Sequence, residues 1–365
     1  MVFFYLLIAV VIINSLYYLL FLRFLTSPVT TPQSKGNLPS VSVLICAKNE
    51  ADNLRNNIPS FLAQDHSDFE LILINDASTD DTLEVIEEFA EQDLRVKIVN
   101  VRNNEAFWAS KKYALTLGIK KAQHKHLIFS DADCIPASTK WLSSMAAHFT
   151  EKKQLVLGYG AYNKRSGFLN KLIRYETLLT AIQYFSYAKA QSPYMGVGRN
   201  LGYTTDLYYS INGFISHIKL PSGDDDLFVN EAGTGANTAL SIDEEAFTYS
   251  EPKHTWSQWL RQKRRHITTA SHYRPLHKIL LATFFTTNVL FYLLIPFALF
   301  FSMWKWILPL ILFRIALQAW VVSKAASIFK EKDLRYLFPV YELFLLFVQM
   351  SIFISNRGPK QPKWK

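Results

Sequence analysis

Cysteine is nearly absent: the 365 residues hold only Cys46 and Cys134. A disulfide framework and a Cys-rich metal site are therefore both excluded, and a reducing compartment fits. Charge is scarce too. Only 19% of residues are Asp, Glu, Lys or Arg, while 50% are hydrophobic and 15% aromatic. That is too apolar for a disordered chain and rich for a wholly soluble one. The sequence has no internal repeat and no low-complexity tract, which removes repeat architectures.

Charge is missing altogether from residues 2–22 and 280–304. Either run, as a helix, is long enough to cross a bilayer core of about 30 Å. The N-terminal run lacks a basic leader and an A-x-A-like cleavage site, so it is expected to be an uncleaved anchor rather than a secretory signal. The net charge of +9 is uneven, with seven Lys or Arg and no acid from Lys253 to Lys278. Because this cluster ends at a hydrophobic segment, it is expected to flank a membrane on the cytoplasmic side, against anionic lipid, and not to bind nucleic acid.

Five regions follow. Residues 1–25 are expected to form a transmembrane anchor, 26–40 a Ser/Thr/Pro-rich linker and 41–275 an α/β domain. Residues 276–356 form a membrane region of two to three helices, and 357–365 a basic tail. In the α/β domain, VSVLICA (41–47), ELILIND (70–76), RVKIVNV (95–101) and HLIFSDAD (126–133) are predicted strands. Helices are predicted over 50–64, from Thr82 to Phe89, near 109–121, from Phe168 to Ala190 and over 256–266. Such alternation implies a parallel sheet covered on both faces. Of the last apolar stretches, 306–323 and 337–356 carry Arg314 and Glu342, which count against full spans. Four full spans would also place Arg357, Lys360, Lys363 and Lys365 on the side away from the basic flank.

Ligands of such sheets bind beyond the carboxyl ends of the strands. Those ends carry Lys48, Asn49 and Glu50, then Asp76, then Asp131 and Asp133. Asp131 and Asp133, one residue apart where a strand gives way to a loop, can both reach a divalent cation with open positions for phosphate. The run Asp224-Asp225-Asp226 has two readings, a solvated turn or a general base tuned by its neighbours. Gln262, Arg264 and Arg265 on the basic helix would stabilise a leaving diphosphate. Trp256 and Trp259 offer a flat face for a sugar, unless they serve as membrane anchors or core.

In this order the motifs resemble those of glycosyltransferase family 2. AKNE (47–50), NDASTDDT (75–82), SKKYALTLGI (110–119), DAD (131–133), GRNLGYTTDLYYSINGF (198–214) and GDDD (223–226) carry the likeness. The resemblance implies a GT-A, Rossmann-like nucleotide-diphospho-sugar transferase domain with transmembrane helices at both ends. It places Lys48, Asn49, Glu50, Asp76, Lys111 and Asp131 at the nucleotide, with Asp76 on the base. Asp131 and Asp133 would hold Mg²⁺ or Mn²⁺. Asp225 becomes the catalytic base and Asp224 its partner, while Arg199, Asp226, Gln262, Arg264 and Arg265 fall to the diphosphate and acceptor. One departure stands out: where polymer-building members carry QxxRW, this chain has Gln262 to His266, with His for Trp, which weakens the inference of processive synthesis.

The expected function is inverting, metal-dependent transfer from a nucleotide-sugar, UDP-linked by expectation, to a lipid-linked or membrane-proximal glycan acceptor in cell-envelope synthesis. The domain would sit on the cytoplasmic face of the inner membrane, and a homo-oligomer is compatible. Rivals are a processive polysaccharide synthase and a silent nucleotide-sugar-binding membrane protein. A transporter would not explain a soluble domain, nor a nucleotidyltransferase the second acid cluster.

Overall fold

A computed structural model of the protein describes residues 2–27, 38–102, 111–301 and 304–355. Most of the expected linker, the start of the helix expected near 109–121 and the basic tail lie outside the described residues.

The chain opens with α1 (Val2–Thr26) and then alternates strand and helix: β1 (Val41–Ala47), α2 (Ala51–Leu62), β2 (Phe69–Asp76), α3 (Thr82–Gln92), β3 (Val96–Val101), α4 (Lys111–Lys121) and β4 (His126–Asp131). The strand period of two explains the layering. Val41, Val43 and Ile45 enter one buried cluster with Leu54, Ile58 and Val85 of the helices on that face. Leu44 points the other way, to Ala114 and Leu115 of α4. Apolar side chains on both faces require helices on both faces, as found.

Shorter elements follow: β5 (Cys134–Pro136), α5 (Trp141–Ala146), β6 (Leu155–Leu157), β7 (Gly160–Tyr162), the long α6 (Phe168–Lys189), β8 (Leu201–Thr204), α7 (Thr205–Ser210), α8 (Asp226–Ala232), β9 (Thr238–Leu240) and β10 (Thr248–Ser250). Seven strands pair in the order β3-β2-β1-β4-β8-β6-β9, and β5, β10 and β7 form a second, three-stranded sheet. The strands β3, β2, β1 and β4 are mutually parallel, as expected. The sheet as a whole is mixed, because β8 runs antiparallel to both β4 and β6. β4 delivers the chain to the carboxyl edge and β8 re-enters from that edge, Phe129 facing Leu201, so it must run back. β4 also stops at Asp131, so Ala132 and Asp133 belong to the turn that follows.

The last four helices are α9 (Trp256–Ala270), α10 (Pro275–Phe301), α11 (Trp304–Ile328) and α12 (Phe338–Ser355). By length and hydropathy α1, α10, α11 and α12 each suffice to cross a membrane. Arg314 and Glu342 do not interrupt these helices: Arg314 lies on α11, Glu342 on α12, and the two pair bidentately at 3.0 Å and 3.0 Å. Both are buried within the bundle, where Asn14, Asn288 and Gln318 accept the remaining guanidinium donors. A paired and fully hydrogen-bonded charge is the form in which such groups are tolerated inside a membrane. The bundle is bolted to the α/β domain, for Arg174 of α6 binds Glu331 and Asp333 between α11 and α12. Phe329 packs on Tyr159 and Phe185 beside them.

Candidate active site

The parallel register sets the floor of the site. Cys46 pairs with Asp131 across β1 and β4, and Ala47 with Asn75 across β1 and β2. Lys48, Asp76 and Asp131 therefore emerge along one edge. The Lys48 ammonium lies 3.9 Å from a buried Asp76 carboxylate. Asn49, in the left-handed region at φ 55°, and Glu50 tie two loops together. The Asn49 backbone N–H donates to Ser78 Oγ at 3.0 Å, its side-chain oxygen accepts from Thr79 N at 2.8 Å, and Glu50 N donates to Thr82 Oγ1 at 2.9 Å.

The two acidic motifs, more than ninety residues apart in sequence, meet at a single lysine. Lys111, at the start of α4, places its Nζ 2.7 Å from Asp131 Oδ1 and 3.1 Å from Asp224 Oδ2. Burial draws the Lys111 ammonium down, but Asp131 and Asp224 more than offset this and hold it well above its ordinary value. For Asp224, burial likewise works against ionisation, and Lys111 overrides it to hold the carboxyl below the usual range.

Asp225 is different. Its Oδ2 accepts from the Gly198 backbone N–H at 2.7 Å, and its Oδ1 from the Asp226 N–H at 2.7 Å. A small cavity beside it is lined by Leu115, Phe129, Leu201 and Tyr203 together with Lys111, Ser130 and Asp224. Burial, followed by the charges of Asp224 and Asp226, pushes the Asp225 carboxyl up to about 7. This is the pattern of adjacent acids whose surroundings drive their proton affinities apart.

Asp226 has another employment. Its buried Oδ2 accepts from the hydroxyls of Thr269 and of Tyr273, the latter at 2.7 Å, which joins α8 to the end of α9. Expected at the diphosphate or acceptor, it serves here as a tie between elements.

Asp133 stands beside Asp131. Carboxylate oxygens of the two, and the buried Cys134 sulfur, all lie within 4.8 Å of one another, a spacing that one cation can span. The Asn57 side chain donates to Ala132 O at 2.9 Å and orients the turn between the acids. Arg199 lies alongside: its guanidinium sits 4.2 Å from the Tyr162 ring centre and donates to Ser250 Oγ at 2.9 Å. Gln262 reaches the same tyrosine, with Nε2 3.4 Å from Tyr162 Oη.

Gln262 and Thr269 are seven residues apart and thus on one face of α9, which spans the site from Tyr162 to Asp226. Arg265 and His266 fall between them on that face. Arg264 is exposed and, among the described residues, makes no ion pair. Trp259 is fully buried, so the core alternative holds for it. Trp256 packs against Phe168 and Phe344 of α12. Tyr162 and Gly198 were not singled out from sequence. Only the GVG before Arg199 was a usable signal there; Tyr162 lies in a strand too short to show a period.

Residues 42–204 match the model of glycosyl transferase family 2. An uncharacterized glycosyltransferase of Haemophilus influenzae is 34% identical over 126 residues, 34% of this chain and 37% of that protein. A UDP-Glc:alpha-D-GlcNAc-diphosphoundecaprenol beta-1,3-glucosyltransferase of Escherichia coli, WfaP, is 29% identical over 129 residues, 35% of this chain and 48% of that protein. The chain thus spans less than half the length of either relative. In fold, it is similar to a mannosyltransferase of Pyrobaculum calidifontis solved with GDP-Man and Mn2+, at a TM-score of 0.63, 18% identity and coverage of 97% of this chain and 100% of that one.

Proposed function

We propose, from the match of residues 42–204 to glycosyl transferase family 2, that this protein is an inverting transferase moving one sugar from a nucleotide diphosphate donor to a membrane-proximal hydroxyl. The observation that carries this reading is the junction at Lys111, which brings the Asp131 motif and the Asp224–Asp226 run into one site. A protein that only bound a nucleotide-sugar would have no use for a second, proton-accepting carboxylate beside the first.

Asp225 takes the acceptor hydroxyl proton. The freed oxygen lone pair attacks the anomeric carbon from the face opposite the diphosphate, and the carbon–oxygen bond to the diphosphate breaks with its electrons on the leaving group. One displacement inverts the anomeric centre and needs no enzyme nucleophile. Asp224 stays ionised against Lys111 and raises the proton affinity of Asp225 next to it. Arg199, with Gln262 and Arg265 on the facing side of α9, supplies donors for the leaving diphosphate. Asp131 and Asp133 would hold Mg²⁺ or Mn²⁺, and the cation, when bound, neutralises charge building on the diphosphate. Lys48, Asn49, Glu50 and Asp76 line the nucleoside end, and Asp76 is assigned to the base.

The donor is assigned as UDP-linked and the acceptor as lipid-linked. WfaP, whose name states a UDP-linked donor and a diphosphoundecaprenol acceptor, supports both. Residues 41–275 are taken as the catalytic domain, 1–25 and 276–356 as the membrane region and 357–365 as a tail beyond the last span. The end of α1, the start of α10 and the Glu331–Asp333 segment all meet the catalytic domain. This favours four full spans with that domain on the cytoplasmic face of the inner membrane. The processive alternative is less favoured, because His266 stands where polymer-building members carry Trp.

The test is nucleotide release from UDP-glucose, UDP-N-acetylglucosamine and GDP-mannose by detergent-solubilised protein, with Mn²⁺, Mg²⁺ or EDTA and with or without membrane lipid extract. Release from one donor that needs metal and rises with lipid is expected, with a single added sugar in the product. UDP binding without turnover under any condition favours the silent binder, and a product ladder the processive enzyme.

A further inference from the structure

The apolar face of α4 carries an anomaly. Lys112, Leu115 and Ile119 follow the i, i+3, i+7 spacing of a buried helix face, and all three are buried. Lys112 is only 1% exposed. Burying an ammonium costs several kcal/mol unless it finds acceptors, and a leucine at this position would carry no such cost. Its acceptors are backbone: Nζ donates to His217 O at 2.6 Å and to Leu220 O at 3.2 Å. Those carbonyls belong to the segment that runs directly into the acid triplet.

The next residues explain why this segment needs holding. Gly223 turns the chain in the left-handed region at φ +102°, where a Cβ would meet Leu227 at 2.5 Å. Asp224, Asp225 and Asp226 follow at once and repel one another. Lys111 grips the far end of this loop through Asp224, and Lys112 grips the near end through His217 and Leu220. Two consecutive lysines in the first turn of one helix thus clamp the acid loop at two points. The negative charge of the triplet in turn supports the Lys112 ammonium, which burial alone would discharge more completely. Its amine is pushed down to about 8.

We infer that Lys112 is a positioning residue for transfer: its buried ammonium fixes the 217–223 segment and so holds Asp225 at the acceptor hydroxyl, without touching the donor. This rests on the assignment of Asp225 as base in the proposed function. Lys112 acts on the loop that bears the base: among the described residues its side-chain hydrogen bonds go to the His217 and Leu220 carbonyls and not to Lys48 or Asp76. Its loss should therefore lower kcat and leave donor affinity alone. A displacement of about 1 Å in a catalytic group costs roughly 100-fold.

The experiment compares Lys112→Met, which keeps the stem and removes the charge and donors, with Lys112→Arg, which keeps both. Turnover is measured with the panel donor that the wild type uses fastest, and binding with UDP and Mn²⁺. The Met variant is expected to lose about 100-fold in kcat with UDP affinity within twofold of wild type, and the Arg variant to recover at least tenfold of that loss. A Met variant within threefold of wild-type kcat overturns the inference. So does one whose UDP affinity falls along with its turnover, which would mean a general loss of fold, or an Arg variant no better than Met. Asp225→Asn, run in the same assay, separates the two levels: full activity there removes the base assignment itself, whatever Lys112 does.

Discussion

Asp225 shows how little of a residue's chemistry resides in its type. Three aspartates in a row share one intrinsic affinity for protons, yet Lys111 holds Asp224 ionised while burial and two neighbouring charges raise Asp225 to about 7. A base must be deprotonated to work, so kcat/KM should rise with pH and level off above an inflection near 7. A profile flat from pH 5 to 8 would remove Asp225 as the base. Asp225→Asn should lower kcat by about 1000-fold and leave UDP binding in place, since a general base supplies 10²–10⁴. The same shift bears on stability. Between the ordinary aspartate value and about 7 the folded protein holds a proton that the unfolded chain has released, so wild type loses stability as pH climbs through that window. Asn has no such term. The thermal midpoint of Asp225→Asn relative to wild type should therefore improve from pH 4 to pH 7 and then stay constant.

At the scale of elements, α9 is the wall that closes the site. It begins at Trp256 against α12, passes Gln262 under Tyr162, and ends by donating from Thr269 to Asp226. Its position over the acids depends on a buried carboxylate that has exchanged water for two hydroxyls. Tyr273→Phe removes one of these donors without opening a cavity. A loss of about 1–2 kcal/mol in unfolding free energy is expected, from the buried acceptor left short of a partner. Denaturant unfolding of the variant in detergent would show it, and an unchanged midpoint would mean that Thr269 alone anchors the helix.

For the whole molecule, the question is how a catalytic domain keeps its pose at a membrane. One ionic joint answers it, and a second holds the bundle itself together. Arg174 binds Glu331 and Asp333 where the domain meets the segment between α11 and α12, and Arg314 binds Glu342 inside the bundle. Removing one partner of a buried pair leaves an uncompensated charge, whereas removing both need not. Arg314→Met should thus destabilise the detergent-solubilised protein by about 3 kcal/mol, and adding Glu342→Met should restore much of that loss. If the double variant is as unstable as the single, Arg314 matters through Asn288 and Gln318 rather than through Glu342.

Much of this was legible from sequence because it is written in local periods. The strands over 41–47 and 126–131, the helices between them and the long apolar helices come from spacings of two and of 3.6 that need no partner to be seen. The strand-end rule likewise placed Lys48, Asp76 and Asp131 on one edge, since parallel register carries them there. What pairing decides was not legible. β5 and β7 have three residues each, too few for any period, and β8 runs antiparallel because of where the chain re-enters the sheet. Arg314 and Glu342 each looked like a flaw in a span until α11 met α12. Asp224, Asp225 and Asp226 stand side by side in the sequence, and their different surroundings are set only when Lys111, Gly198 and Tyr273 arrive from distant parts of the chain. Periodicity is a property of neighbours in sequence, whereas charge and proton affinity are set by neighbours in space.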